Sequence, residues 1–156
     1  MADVHRLLVL AGAALADLEE LPPSVRALID AADEVFVLTP TLTSRMQWLV
    51  SDIDRAHEAA DERLDAVLGQ LRSADVSAQG AVGDDSPLDA VADRVRSFSP
   101  DHILIALRSA EHGGWQERGL TERIQQLTHL PLTIFEIDRA GRVTSDRPGR
   151  RRRARR

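Results

Sequence analysis

Cysteine, lysine and tyrosine are absent from this chain of 156 residues, and aromatics are down to three Phe and two Trp. The lack of cysteine excludes disulfides, thiolate metal sites and a cysteine nucleophile, and removes any sign of an oxidising compartment, so the cytoplasm is the expected location. With so few aromatics, the core has to be assembled from Leu, Val, Ile and Ala. No apolar run approaches the roughly 20 residues that span a bilayer. The run from Leu7 to Ala16, behind His5 and Arg6, has the look of a short signal peptide. Asp3 precedes it, however, Gly12 interrupts it early, and the remaining pattern needs it as a strand. The five histidines show no HxxxH or HxH ligand spacing, which argues against a metal site. There is no G-x-S-x-G elbow, no Walker loop and no nucleophile–base–orienter set, so no enzyme is expected.

Charge is present in quantity and is unevenly placed. The net charge is −5, yet Arg147, Arg150 to Arg153, Arg155 and Arg156 fall in the last ten residues. Residues 1–146 hold 13 basic and all 25 acidic residues, a net −12. An acidic body thus carries a basic end. Residues 141–156, rich in Gly, Arg and polar residues, read as a disordered tail after a domain spanning 1–140. Such a tail can contact nucleic acid or an anionic surface through salt-sensitive counterion release. Without interleaved aromatics it has little means of reading sequence.

Between these extremes the hydrophobic pattern alternates. Leu7–Ala11, Val35–Leu38 and Ile103–Leu107 are continuous apolar runs, the signature of strands covered on both faces. Val76–Val82, alternating and holding Gly80, predicts an edge strand, and Leu132–Ile137 a final strand. Val25, Leu28 and Ile29 share one face of a short helix. In 51–72, Ser51 and Asp54 form a capping box, and Ile53, Ala56, Ala60, Leu64, Val67 and Leu71 recur at helical spacing. Ser86-Pro87 opens a third helix with a stripe of Leu88, Val91, Val95 and Phe98. Leu120, Ile124 and Leu127 mark a fourth, ended by Pro131. Five strands alternating with four helices predict an α/β fold, a parallel sheet with helices on both faces.

Gly83-Asp84-Asp85-Ser86-Pro87-Leu88-Asp89-Ala90, followed by Ser99-Pro100-Asp101-His102-Ile103-Leu104-Ile105, resembles the second half of a universal stress protein. The order of elements over 4–138 agrees. Trp115-Gln116-Glu117-Arg118-Gly119-Leu120, with Pro40, Leu42, Ser44, Arg45 and Trp48, is similar to a divergent actinobacterial branch of that family. The resemblance implies a Rossmann-like, three-layer α/β/α fold with a five-stranded parallel sheet in the order 3-2-1-4-5. It implies a ligand cleft between strands 1 and 4, where the order reverses. It also implies a stress-related regulatory or binding role and a homodimer paired through the last strand, Leu132–Ile137.

Many members of the family bind ATP through an aspartate ending strand 1 and the pattern G-x-x-G-(nine residues)-G-[S/T]. Counting along this chain puts Gly12 at the aspartate, and Leu107, Ala110 and Leu120 at the glycines, with Thr121 alone retained. Side chains at the glycine positions would crowd the phosphates, so loss of ATP binding is expected. The alternative is a residual ATP or AMP site in a shifted alignment, using Ser109, Gly113, Gly114, Gly119 and Thr121. Gly12, Thr39, Arg45, Arg108, His112 and Trp115 are the further candidates for lining the cleft.

Overall fold

A computed structural model describes residues 5–11, 21–39, 53–83, 87–108, 120–137 and 143–148 of the chain. Along it run β1 (Arg6–Ala11), α1 (Pro23–Ala31), β2 (Glu34–Thr39), α2 (Ile53–Ser73) and β3 (Ala78–Val82). They are followed by α3 (Pro87–Phe98), β4 (His102–Arg108), α4 (Leu120–Thr128), β5 (Leu132–Ile137) and β6 (Val143–Pro148). The first five strands are parallel and lie in the order β3-β2-β1-β4-β5, as expected.

Burial explains the apolar runs. Leu7 to Ala11 in β1 are all at most 6% exposed, because successive residues face two different layers. Leu7 and Val9 pack with Val25 and Ile29 of α1 and Leu64 and Leu71 of α2. Leu8 and Leu10 pack with Val91 of α3 and Ile124 of α4. A strand sandwiched in this way cannot alternate apolar with polar residues. In β5, one strand further out, Leu132, Ile134, Phe135 and Ile137 are buried while Thr133 and Glu136 are partly exposed. The acidic residues of α2 behave as a solvated face: Glu58, Asp61 and Asp65 are exposed while Ala60 is fully buried.

Three helices end on a residue with positive φ that is not glycine: Asp75 (60°), Ser99 (52°) and His129 (55°). After α2 the Val76 N–H donates to the Leu71 carbonyl at 2.9 Å and the Asp75 N–H to the Arg72 carbonyl at 3.0 Å, a Schellman ending. Val76 is therefore spent on closing the helix, and β3 starts at Ala78 rather than Val76. Ser99 and His129 each donate from N–H to a carbonyl four residues back, Val95 and Gln125, the simpler left-handed ending.

Two expectations need correction at the C-terminal side. The segment read as a disordered tail from 141 contains β6, which pairs antiparallel with β5 from Ile137↔Val143 to Thr133↔Pro148. Its backbone N–H and C=O groups find partners on an edge that would otherwise be bare, and Val143 packs against the α1/α2 side of the core. For the same reason Leu132–Ile137 is not an open edge, so it is not free to pair with a second copy while β6 is in place.

Candidate functional site

The sheet order reverses between β1 and β4. α1 and α2 pack on one face and α3 and α4 on the other, so the connections from β1 and from β4 go to opposite faces of the sheet. A crevice outside the carboxyl ends of such a strand pair is where open α/β sheets bind ligands. Toward the carboxyl ends of this pair Ala11 of β1 stands in register with Ala106 of β4, and both are buried.

Thr39 ends β2 beside β1 and is 0% exposed. Its carbonyl accepts the Gly83 N–H at 2.8 Å, which carries the β2–β3 ladder one step past Val82. Its hydroxyl Oγ1 has no hydrogen-bond partner among the described residues. A buried hydroxyl left without a partner costs on the order of 1–3 kcal/mol, which marks this position as one with polar capacity to spare.

Leu107, at the expected place of the first phosphate-cradling glycine, lies inside β4 in register with Glu136, and Arg108 ends the strand in register with Ile137. Thr121 sits in the first turn of α4 and is partly exposed. The structure thus sets Thr39, Arg108 and Thr121 at carboxyl ends of strands or at the helix start that follows them. Gly12, Arg45, Ser109, His112, Gly113, Gly114, Trp115 and Gly119 lie outside the described residues.

Chemistry that the sequence pattern does not single out sits at the other end of the sheet. Asp101 Oδ2 accepts the backbone N–H groups of His5 and Arg6, each at 3.0 Å. The Arg6 and His5 amides, in that order, hold this exposed carboxylate below its ordinary value, because both donate to its charged form. Arg6 pairs with Glu34 at 3.1 Å and donates from Nη1 to the Phe98 carbonyl at 2.9 Å. His5 Nδ1 lies 2.9 Å from Asp33. These contacts fasten the start of β1 to the starts of β2 and β4. A signal for Asp101 is present in the sequence: an Asp just before a strand, after Ser-Pro, is a turn acceptor. His102 Nε2 lies 2.9 Å from Thr133 Oγ1, and burial pushes the imidazole below its ordinary value. Near this end, the Arg94 guanidinium stacks 4.1 Å above the Phe36 ring. Among the described residues there is no cluster of His, Asp and Glu able to hold a metal ion. No helix among them is long and apolar enough to cross a membrane.

This architecture, a doubly wound parallel sheet whose strand order reverses between β1 and β4, defines the class as a Rossmann-like α/β protein. Within it, the fold is that of the universal stress proteins. The crystal structure of a universal stress protein family protein from Arabidopsis thaliana, with AMP bound, superposes at a TM-score of 0.54 over 85% of this chain and 91% of that one, at 12% identity. No family model matches the sequence. No curated protein matches it either.

Proposed function

We propose that the chain is a non-enzymatic, universal-stress-protein-like binding protein, cytoplasmic and regulatory, whose crevice takes a small ligand without an ATP-type phosphate cradle. The observation that carries this reading is Thr39: a fully buried hydroxyl with no partner among the described residues, held by β2 at the carboxyl end of the sheet. Natural sheets rarely leave such a group without a partner, and a ligand at this end of the sheet supplies one.

The loss of ATP binding rests on the residues at the cradle positions. Leu107, Ala110 and Leu120 stand where glycines would let backbone amides approach a phosphate, and Gly12 supplies no carboxylate. The AMP in the Arabidopsis structure belongs to that protein. It makes adenine nucleotides the first ligands to test. Calorimetric titration with ATP and AMP is expected to show no heat at millimolar ligand. Saturable heat that disappears when Gly113 and Gly114 are replaced by Ala would instead establish the shifted nucleotide site. A homodimer remains part of the proposal, with β6 rather than β5 as the strand at the outer edge. Sedimentation velocity of the full chain measures it directly.

A further inference from the structure

The two outer strands of the sheet differ in what they present to a newcomer. β6 carries Asp146, Arg147 and Pro148, residues that discourage a further strand, whereas β3 reads Ala78-Gln79-Gly80-Ala81-Val82, with no charge and no proline. Backbone N–H and C=O groups point to alternate sides along a strand. The Gly83 N–H donates to the Thr39 carbonyl on β2 at 2.8 Å, so Ala81 and Gln79 also turn their backbone groups toward β2. Ala78, Gly80 and Val82 therefore direct theirs away from the sheet, where no strand meets them among the described residues.

A cation without a counter-charge lies beside this edge. Arg94 of α3, half-buried, places its guanidinium 4.1 Å from the centre of the Phe36 ring on β2. The ring face attracts the charge but leaves the in-plane N–H groups without an acceptor. Nε is enclosed with no hydrogen-bond partner, and Arg94 forms no ion pair among the described residues. Glu34, on the same face of β2 as Phe36, is already held by Arg6 at 3.1 Å. Gln79 stands in register with Phe36, one strand nearer the edge, and is exposed.

We propose that β3 is a docking edge for an extended acidic peptide of a partner protein, which adds as a strand beyond β3 and sets a glutamate past Gln79 onto Arg94. Main-chain bonds to Ala78, Gly80 and Val82 supply affinity without regard to sequence, and the ion pair selects the acidic side chain. A second copy of this chain, paired through its own β3, fits less well, because that strand holds no acid for Arg94. The edge is the one farthest from β6 and makes no use of the Thr39 hydroxyl, so this binding is independent of the crevice.

The test titrates the full chain with a short fluorescein-labelled peptide of alternating Thr and Val carrying one central Glu, and with its Gln counterpart, read by fluorescence anisotropy. The Glu peptide should bind saturably and about 5-fold more tightly than the Gln peptide. R94Q should erase that preference with the melting temperature little changed, since no ion pair is lost. A78P removes one outward donor and no bond to β2, and should weaken both peptides by about 3- to 10-fold. In amide hydrogen exchange the Glu peptide should slow Ala78, Gly80 and Val82 and leave Gln79 and Ala81, already bonded to β2, unchanged. No binding at millimolar peptide, or binding that leaves the three outward amides exchanging as before, overturns the proposal. A preference for Glu that survives in R94Q overturns the part given to Arg94. Outward amides that become protected as protein concentration rises, with no peptide present, would assign the edge to a second copy instead.

Discussion

Thr39 and Asp101 are both small polar side chains at strand ends, and they sit in opposite energetic situations. The Thr39 hydroxyl is buried with no partner among the described residues, so replacing it by a methyl removes a desolvation cost and keeps the shape. Thr39→Val is expected to raise stability by about 1 kcal/mol in urea denaturation and to weaken any ligand that borrows the hydroxyl. A loss of stability would mean that the hydroxyl is already satisfied. Asp101 has its acceptor oxygen filled by two amides that favour its ionised form. Its folded pKa lies below the unfolded one, so its contribution is full above the unfolded value and is lost as pH falls through the folded one. Asp101→Asn should therefore melt lower than the parent at pH 7, with the gap closing as the pH drops below the ordinary aspartate value. A gap that persists unchanged in acid would assign the effect to shape rather than charge.

At the scale of elements, two glycines and one aspartate show how closely the pieces meet. A Cβ on Gly80 would come within 2.5 Å of Leu64 Cδ1 and 2.7 Å of the Val37 carbonyl oxygen. The second neighbour is backbone and cannot step aside, so Gly80→Ala should cost about 1–3 kcal/mol by separating β3 from β2 and α2. Gly69 lies inside α2, and a Cβ added there would meet nothing within 4 Å, so Gly69→Ala should gain about 1 kcal/mol. Asp75 occupies the left-handed residue of the Schellman ending, and Asp75→Gly should gain up to about 1 kcal/mol by relieving its Cβ. Denaturation midpoints of the three variants check all three signs. The same elements explain what the sequence makes legible. Strands buried on both faces can be read because only continuous apolar runs survive there, as in Leu7–Ala11. The end of α2 cannot, because the glycine that normally announces it is an aspartate. β6 escapes notice because its composition resembles a tail, although five residues containing Gly141 separate it from β5 at a spacing that suits a hairpin. Of the candidate site, the sequence places Thr39 correctly at a strand's carboxyl end. That its hydroxyl finds no partner among the described residues is beyond sequence reasoning, since that depends on packing between distant segments.

Across the whole molecule, the two sides of the sheet solve the open-edge problem differently. β3 at one side is short, with α2 packed against it. At the other, β5 carries the apolar series Leu132, Ile134 and Phe135 next to an edge that would template another strand if left bare. β6 takes that edge with a sequence ill suited to further pairing: it contains the charged Asp146 and Arg147, and Pro148 has no N–H to give. Two truncations separate this role from that of the arginines beyond it. A chain ending at Pro148 keeps β6 and should sediment as the full chain does. A chain ending at Arg142 exposes the whole edge of β5 and should self-associate, with a weight-average mass that climbs with concentration in sedimentation velocity. Adding a peptide of residues 143–148 in excess should reverse part of that association, because the peptide restores the missing partner. An Arg142-terminated chain that remains in the same state as the full chain would show that β5 needs no cover.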